Sequence, residues 1–462
     1  MPPPITFLAF PPLLALYPLS YVVWLVRTLA LPIRVKTPKL LSNGTLVDPT
    51  ATDPPLVKHV GSDQLPFSED VIVWQAHRLA IFSSDPGRPF YNPFTNEGDA
   101  ATAPHARLML YDLDKRTVRQ LEIGNWPEGR TLHSLGLGLK EDDNGGAILA
   151  VVNIGADFTA VDMVRLAPPT EPNDGDGPAH ITATYLHSLE NPKITTPNAV
   201  VPLSEDQVVV TNSFGFSPKT HKVLNTVETI LAIPGGKVYA LRRAAGSFPG
   251  IQSSYGTFGA QTTATCELVA ERFALANGIA ASPDGRILLV AGTNSDDVSV
   301  YDVDPSGAGP GSGSGTGAFA PRVHFRETLP VGFLLDNLRY VPKDAQAQQA
   351  EGYTFLGAGH PAGLDVLAAT ESKGKKLAGS RVVKIHIPVH RPPPSLWRSF
   401  TNELSRLFTR VHKRVELVFA DSGELVSTSA TAVAFTGKTG TEVLVTGVWD
   451  GRGPVHLTSV DV

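Results

Sequence analysis

From Leu65 onward, short apolar runs alternate with turn residues in a unit that can be read six times. Each unit opens on a polar residue, continues through an apolar stretch, turns, and rises through a second run rich in β-branched residues. The first reads Ser68-Glu69-Asp70, VIVW, RLAIFSS and later ARLMLYDLD. The second starts at His133 and runs through LGLGL, the turn KEDDNGG and AILAVVN. The third opens at Asn198 with AVVPL, turns at Ser204-Glu205-Asp206 and gives QVVVTNS. The fourth is Asn277-Gly278-IAA, the turn SPDG, RILLVAG and VSVYDVD. The fifth is Asp336-Asn337-LRYV, a loop, YTFLGAG and RVVKIHI. The sixth is TAVAF, the turn TGKTG, EVLVTGV and the C-terminal VHLTSVD.

Runs of this kind bounded by Gly, Asp and Pro are strands. Six such units closing radially leave only short, protected edges. The pattern therefore predicts an all-β, six-bladed β-propeller over residues 56–462. An irregular β-sandwich is the alternative, and it does not explain why a polar leader recurs at one offset in five of the six units. Loop insertions are expected at about 167–180, 303–320 and 390–414. The last holds Leu396, Trp397, Phe400, Leu404, Leu407, Phe408 and Val411 at helical spacing, with Arg398, Arg406, Arg410 and Lys413 beside them. That is a basic amphipathic helix, which packs on the scaffold or lies on a membrane or lipid surface. His221 to Ala232 reads as another accessory helix over the propeller face.

Residues 1–40 have a different character. No charge occurs from Ile5 to Val26, a length that spans a bilayer as a helix. Pro11, Pro12 and Pro18 oppose a straight helix, and no basic residue precedes the run. Arg27, Arg34, Lys36 and Lys39 follow it and favour a cytoplasmic C-terminal side, whereas the sequon Asn43-Gly44-Thr45 points to secretion and glycosylation. The segment reads as an uncleaved signal or membrane anchor, with an apolar element packed on the propeller as the alternative. The expected location is membrane-associated or secreted.

Composition narrows the chemistry. A net charge of -5 gives no case for nucleic-acid binding. The single cysteine, Cys266, cannot form an intrachain disulfide. In a propeller the innermost strand of each blade lines the central channel, so residues leading into those strands converge from different blades. The leaders are Glu69, His133, Asn198, Asn277 and the pair Asp336-Asn337. Carboxylate and amide oxygens are hard ligands that suit calcium better than zinc or copper.

These residues carry a family resemblance. SPDG followed by a strand and V-Y-D, preceded by F-x-x-ANGI, resembles the paraoxonase/arylesterase family. So do Ser68-Glu69-Asp70, Pro197-Asn198, Leu335-Asp336-Asn337, Gly359-His360-Pro361 and the stretch from DSGELVSTSATAVAF to LVTGVW. The resemblance spans roughly Leu65 to the C-terminus. It implies a six-bladed propeller with two calcium ions in its channel that hydrolyses lactones and aryl esters. The implied catalytic-calcium ligands are Glu69, Asn198, Asn277, Asp336 and Asn337. The implied active-site histidines are His133 and His360.

The chain departs from the family pattern at several positions. The histidine that partners His133 falls at Ile154, the structural-calcium aspartate at Ala199, and an Asp-His pair at Ser213-Phe214. The family disulfide is absent, and its pocket cysteine falls at Gly359. A second calcium would rest on Asp70 and the carbonyl of Leu135, and two protein oxygens make a poor calcium site.

The expected function is calcium-dependent hydrolysis of carboxylic esters, with a small-molecule lactone or aryl ester as substrate. The calcium polarises the carbonyl and water attacks it. His133 is the expected general base, since an imidazole titrates near neutrality, and Glu69 assisting a metal-bound water is the backup. No G-x-S-x-G elbow is present to hold a serine nucleophile. A gluconolactonase-type sugar lactonase and a non-catalytic binding scaffold are the competing readings.

Overall fold

The computed structural model describes residues 57–61, 63–100, 102–170, 180–244, 263–304, 319–342, 352–389, 414–437, 440–458, 460 and 462. The N-terminal apolar segment, the amphipathic stretch expected within 390–414 and most of the other two insertions lie outside these residues. Among the described residues, no helix is long and apolar enough to cross a membrane.

Six antiparallel meanders form the blades. Blade one is Ser68–Trp74, Leu79–Ser84, Arg107–Asp112 and Val118–Gln120. Blade two is Ser134–Glu141, Ala147–Ile154, Thr159–Leu166 and Ala183–Leu189, with Ile123–Gly124 added in parallel at its outer edge. Blade three is Pro197–Ser204, Gln207–Asn212, Gly236–Arg243 and Ala264–Phe273. Blade four is Ala276–Ala281, Ile287–Gly292, Asp297–Val303 and Val323–Pro330. Blade five is Leu334–Tyr340, Tyr353–His360, Ser380–Ile387 and Val415–Asp421.

Blade six closes the ring and draws on both ends of the described chain. Ser429–Gly437, Gly440–Gly447 and Val455–Leu457 supply its inner three strands. Its outermost strand is Val57–His59, paired antiparallel so that Val57 faces Leu457 and His59 faces Val455. The sequence pattern had not marked this short strand.

Packing is what makes the six sheets one body. A separate apolar core fills each of the six junctions between neighbouring blades. Ile81 and Leu110 of blade one meet Leu149 and Val164 of blade two. Val433 and Leu444 of blade six meet Phe82 and Tyr111 of blade one across the closure. The other four junctions are built the same way. Both faces of each blade are therefore buried, so the strands read as nearly continuous apolar runs. The innermost strands follow one another round a closed ring.

Two α-helices are described, and both lie between the second and third strands of a blade. Lys222–Ile230 sits in blade three, as expected for 221–232, and Gly363–Glu371 in blade five was not anticipated.

Candidate functional site

Every innermost strand carries a β-bulge near its start, with two residues set against one on the next strand. In blade one, Ser68 faces Ser84 and Asp70 faces Ser83, which leaves Glu69 out of the pairing. In blade three, Asn198 and Ala199 occupy the gap between the pairs Pro197–Asn212 and Val200–Val210. Asn277-Gly278 in blade four and Asp336-Asn337 in blade five occupy the equivalent gaps. Blades two and six place Leu135-Gly136 and Ala430-Thr431 there. A bulge re-aims side chains that a regular ladder would alternate between faces. This common device is why the polar leaders of blades one, three, four and five share one offset in the sequence; His133, expected at the same offset, instead stands two residues ahead of the blade-two bulge, before the strand begins at Ser134.

Neighbouring bulges touch backbone to backbone. A Cβ on Gly278 would lie 2.5 Å from the Asp336 carbonyl oxygen and 2.6 Å from Asn337 Cα; one on Gly136 would lie 2.3 Å from the Asn198 carbonyl oxygen. Only glycine permits that approach. Entry to three inner strands is through left-handed residues that are not glycine: Phe67, Leu275 and Thr428. Such backbone is uncommon for side-chain-bearing residues and persists where the surroundings over-determine it.

Glu69, Asn198, Asn277, Asp336 and Asn337 are all buried. The side-chain oxygens of Asn198, Asn277 and Asn337 have no hydrogen-bond partner, and neither does the Asn337 amide nitrogen. Buried amide groups are normally satisfied, and each orphan calls for a ligand, ion or water. Burial pushes the Glu69 carboxyl up to about 8; Arg88 opposes the rise, and the charges of Asp336 and Asp70 add to it. Glu69 and Asp336, from blades one and five, thus share one electrostatic environment. A hard divalent cation fits this donor set of carboxylates and orphaned amide oxygens. Among the described residues no three His, Cys, Asp or Glu side chains cluster as a metal site, in keeping with a set in which amides outnumber carboxylates.

The two histidines sit beside carboxylates. His133 is fully buried, with Nδ1 3.8 Å from Asp85 Oδ2 and neither ring nitrogen hydrogen-bonded. Its backbone N–H donates to Asn153 Oδ1 at 2.9 Å, and the rings of Tyr91 and His105 pack edge-on at 4.8 and 6.1 Å. His360 Nε2 lies 3.2 Å from Asp336 Oδ2, and its Nδ1 has no partner. Ile154 donates its backbone N–H to the His133 carbonyl at 3.3 Å and packs its side chain into the junction of blades two and three.

No family model matches the chain, and no curated protein matches it in sequence. Solved structures resemble it in fold. The chain is similar to a luciferin-regenerating enzyme at 10% identity and a TM-score of 0.42, over 88% of this chain and 97% of that one. It is similar to the β-propeller domain of Myceliophteria thermophila Cps50 (Swd1) at 10% identity and 0.37, over 87% and 99%. It is also similar to the periplasmic gluconolactonase of Pseudomonas aeruginosa at 13% identity and 0.34, over 80% and 75%. These likenesses concern the fold.

Two residues of the site have no signature in the sequence pattern. Asp85 and Arg88 lie in the turn after the second strand of blade one. Arg88 Nη2 donates to Glu69 Oε2 at 3.1 Å, and its Nε lies 3.7 Å from Asp85 Oδ2. They join the Glu69 and His133 ends of the site into one buried chain, Glu69–Arg88–Asp85–His133. Asp85 stands beside His133 where the sequence had offered only Ile154.

Asp70 and the second calcium are a different matter. Asp70 Oδ1 accepts from the Val71 N–H and the Thr431 hydroxyl, each at 2.8 Å. Its Oδ2 accepts from the Leu137 N–H at 2.6 Å and from the guanidinium of Arg339. A carboxylate offers about four lone-pair sites, and all are in use. The residues here do not fit a second calcium ion.

Proposed function

We propose that the protein is a calcium-dependent hydrolase of carboxylic esters, of the paraoxonase/arylesterase type, acting on lactones and aryl esters. The observation that carries this reading is the set of three buried amide oxygens without hydrogen-bond partners, carried with two carboxylates on the equivalent inner-strand bulges of blades one, three, four and five. Glu69, Asn198, Asn277, Asp336 and Asn337 would hold the calcium ion. When bound, the ion supplies positive charge where the ester carbonyl oxygen becomes negative.

The chain's own groups supply the rest. His133 Nε2 takes the proton of the attacking water, and Asp85 stabilises the imidazolium from the Nδ1 side. Asp336 orients His360 through the 3.2 Å contact with its Nε2. Arg88 fixes Glu69 and Asp85 in one geometry, so both ends of the site move together. Ile154 and Phe214 are buried apolar side chains, and the ring of Phe94 lies 5.9 Å from that of Phe214. Apolar side chains thus stand at both positions where the family pattern has histidines, Ile154 within the core between blades two and three. The arrangement of two imidazoles, each beside a carboxylate, favours catalysis over a binding scaffold.

Exposed apolar side chains support a lipid surface as partner. Phe90 in blade one, Val223, Leu224, Val227 and Ile230 in blade three, and Leu364 and Leu367 in blade five are exposed. All lie in connections between second and third strands, which in an up-and-down blade share a face with the starts of the inner strands.

A panel of lactones and aryl esters, assayed with calcium and after chelation, tests the proposal. Hydrolysis that needs calcium and disappears in Asp336→Ala is the expected result. Hydrolysis that persists after exhaustive chelation would remove the calcium mechanism, and no hydrolysis of either class would favour the scaffold.

A further inference from the structure

Arg339 lies on the inner strand of blade five, two residues after Asn337 and paired with Leu356, and it is buried. Its guanidinium spends its donors on three segments of chain. Nε donates to the Val71 carbonyl at 3.0 Å, Nη1 to the Leu338 carbonyl at 3.1 Å, and Nη2 to the Leu137 carbonyl at 2.9 Å and to the Asp70 carboxylate. Asp70 in turn holds the Leu137 N–H of blade two and the Thr431 hydroxyl of blade six. The pair therefore ties together the inner strands of blades one, two, five and six.

We propose that Arg339 is the resident cation of the inner channel, filling with a side chain the place where the family resemblance implies a second calcium. It also acts as a positioning residue for the donors above it. Asp70 directly follows Glu69, and Arg339 closely follows Asp336-Asn337, so the pair clamps the two bulges that bring carboxylates to the site. A guanidinium stays charged at all accessible pH values and presents a planar fork of donors. Unlike a metal ion, it cannot dissociate, so this tether survives chelation. The filling of that place stands on the four hydrogen bonds that saturate Asp70 and does not depend on the ester-hydrolase reading, whereas the positioning role rests on the calcium site of that reading.

The test is to count calcium ions bound per full-length chain by equilibrium dialysis, and to measure unfolding midpoints in chelator for wild type, Arg339→Lys, Arg339→Met and the double variant Asp70→Asn/Arg339→Met. One ion or none per wild-type chain is expected, and two would overturn the proposal. A count of none would sink the calcium reading of the outer site while leaving Arg339 to be judged on unfolding. Arg339→Met should lower the midpoint in chelator by roughly 5 °C, because a buried carboxylate loses its counter-charge. The double variant should recover part of that loss. Arg339→Lys keeps the charge but not the fork, and should weaken calcium binding at the outer site roughly tenfold, as loss of a supporting hydrogen-bond shell does. Midpoints for both single variants within about 1 °C of wild type would overturn the role assigned to Arg339.

Discussion

Asn277 gives a test in which the sign of the effect depends on calcium. Its Oδ1 is buried and has no hydrogen-bond partner among the described residues. Leaving a buried polar group unsatisfied costs about 1–3 kcal/mol. Asn277→Ala removes that cost and loses some packing, so in chelator the variant should sit within about 1 kcal/mol of wild type, the two terms being of similar size. Saturating calcium reverses the balance. A ligand at a hundred times its dissociation constant stabilises the folded state by about 2.7 kcal/mol. Removing one of five protein donors, with affinity falling roughly ten- to a hundredfold, would forfeit about 1.3–2.3 kcal/mol of that. Urea unfolding followed by circular dichroism, in chelator and in calcium, reads both numbers. Equal destabilisation in the two buffers would mean that the Asn277 oxygen serves the fold and not a cation.

Three further outcomes are expected. His133→Gln should lower lactone turnover a hundredfold or more, the usual contribution of a positioned base, while calcorimetric calcium affinity changes little; unchanged turnover would move the base elsewhere. Gly278→Ala places a Cβ 2.5 Å from the Asp336 carbonyl oxygen, so it should destabilise the protein by roughly 1–3 kcal/mol and weaken calcium binding, and a neutral result would show that the blade-four and blade-five bulges can separate freely. Asp297, raised by burial to about 6 despite its bond from Ser295, binds its proton more tightly folded than unfolded. Its carboxylate therefore contributes no penalty below the unfolded value near 4, and the full penalty above about 6. Asp297→Asn should raise stability by roughly 1–3 kcal/mol at pH 8 and by much less at pH 4; a gain that is the same at both pH values would refute the assignment.

The strands of this propeller are legible because each blade is buried on both faces, which writes long β-branched runs such as AILAVVN and RILLVAG into the chain. The polar leaders are legible for a related reason. The same bulge recurs in all six inner strands, so Glu69, Asn198, Asn277 and Asp336 keep one offset from the run that follows, while His133 precedes its strand and does not. Contacts between distant segments leave no such periodic trace. Asp85 and Arg88 lie in the connection that follows the strand Leu79–Ser84, where a charged residue looks like any solvated loop position, yet both are buried. Arg339 looks like a strand's outward-facing polar residue in LRYV, and its burial depends on Asp70, which is 269 residues away. Val57–His59 has three residues and no alternation, and only its partner Val455–Leu457 makes it a strand. The helix Gly363–Glu371 leaves no mark in the sequence pattern because GLDVLAATE has no clear apolar stripe.

Anomalous diffraction from crystals grown in calcium tests the central claim most directly. One calcium peak is expected, within coordination distance of oxygens from Glu69, Asn198, Asn277, Asp336 and Asn337. Calcium-free density at that place, with water satisfying the three amide oxygens, would contradict it.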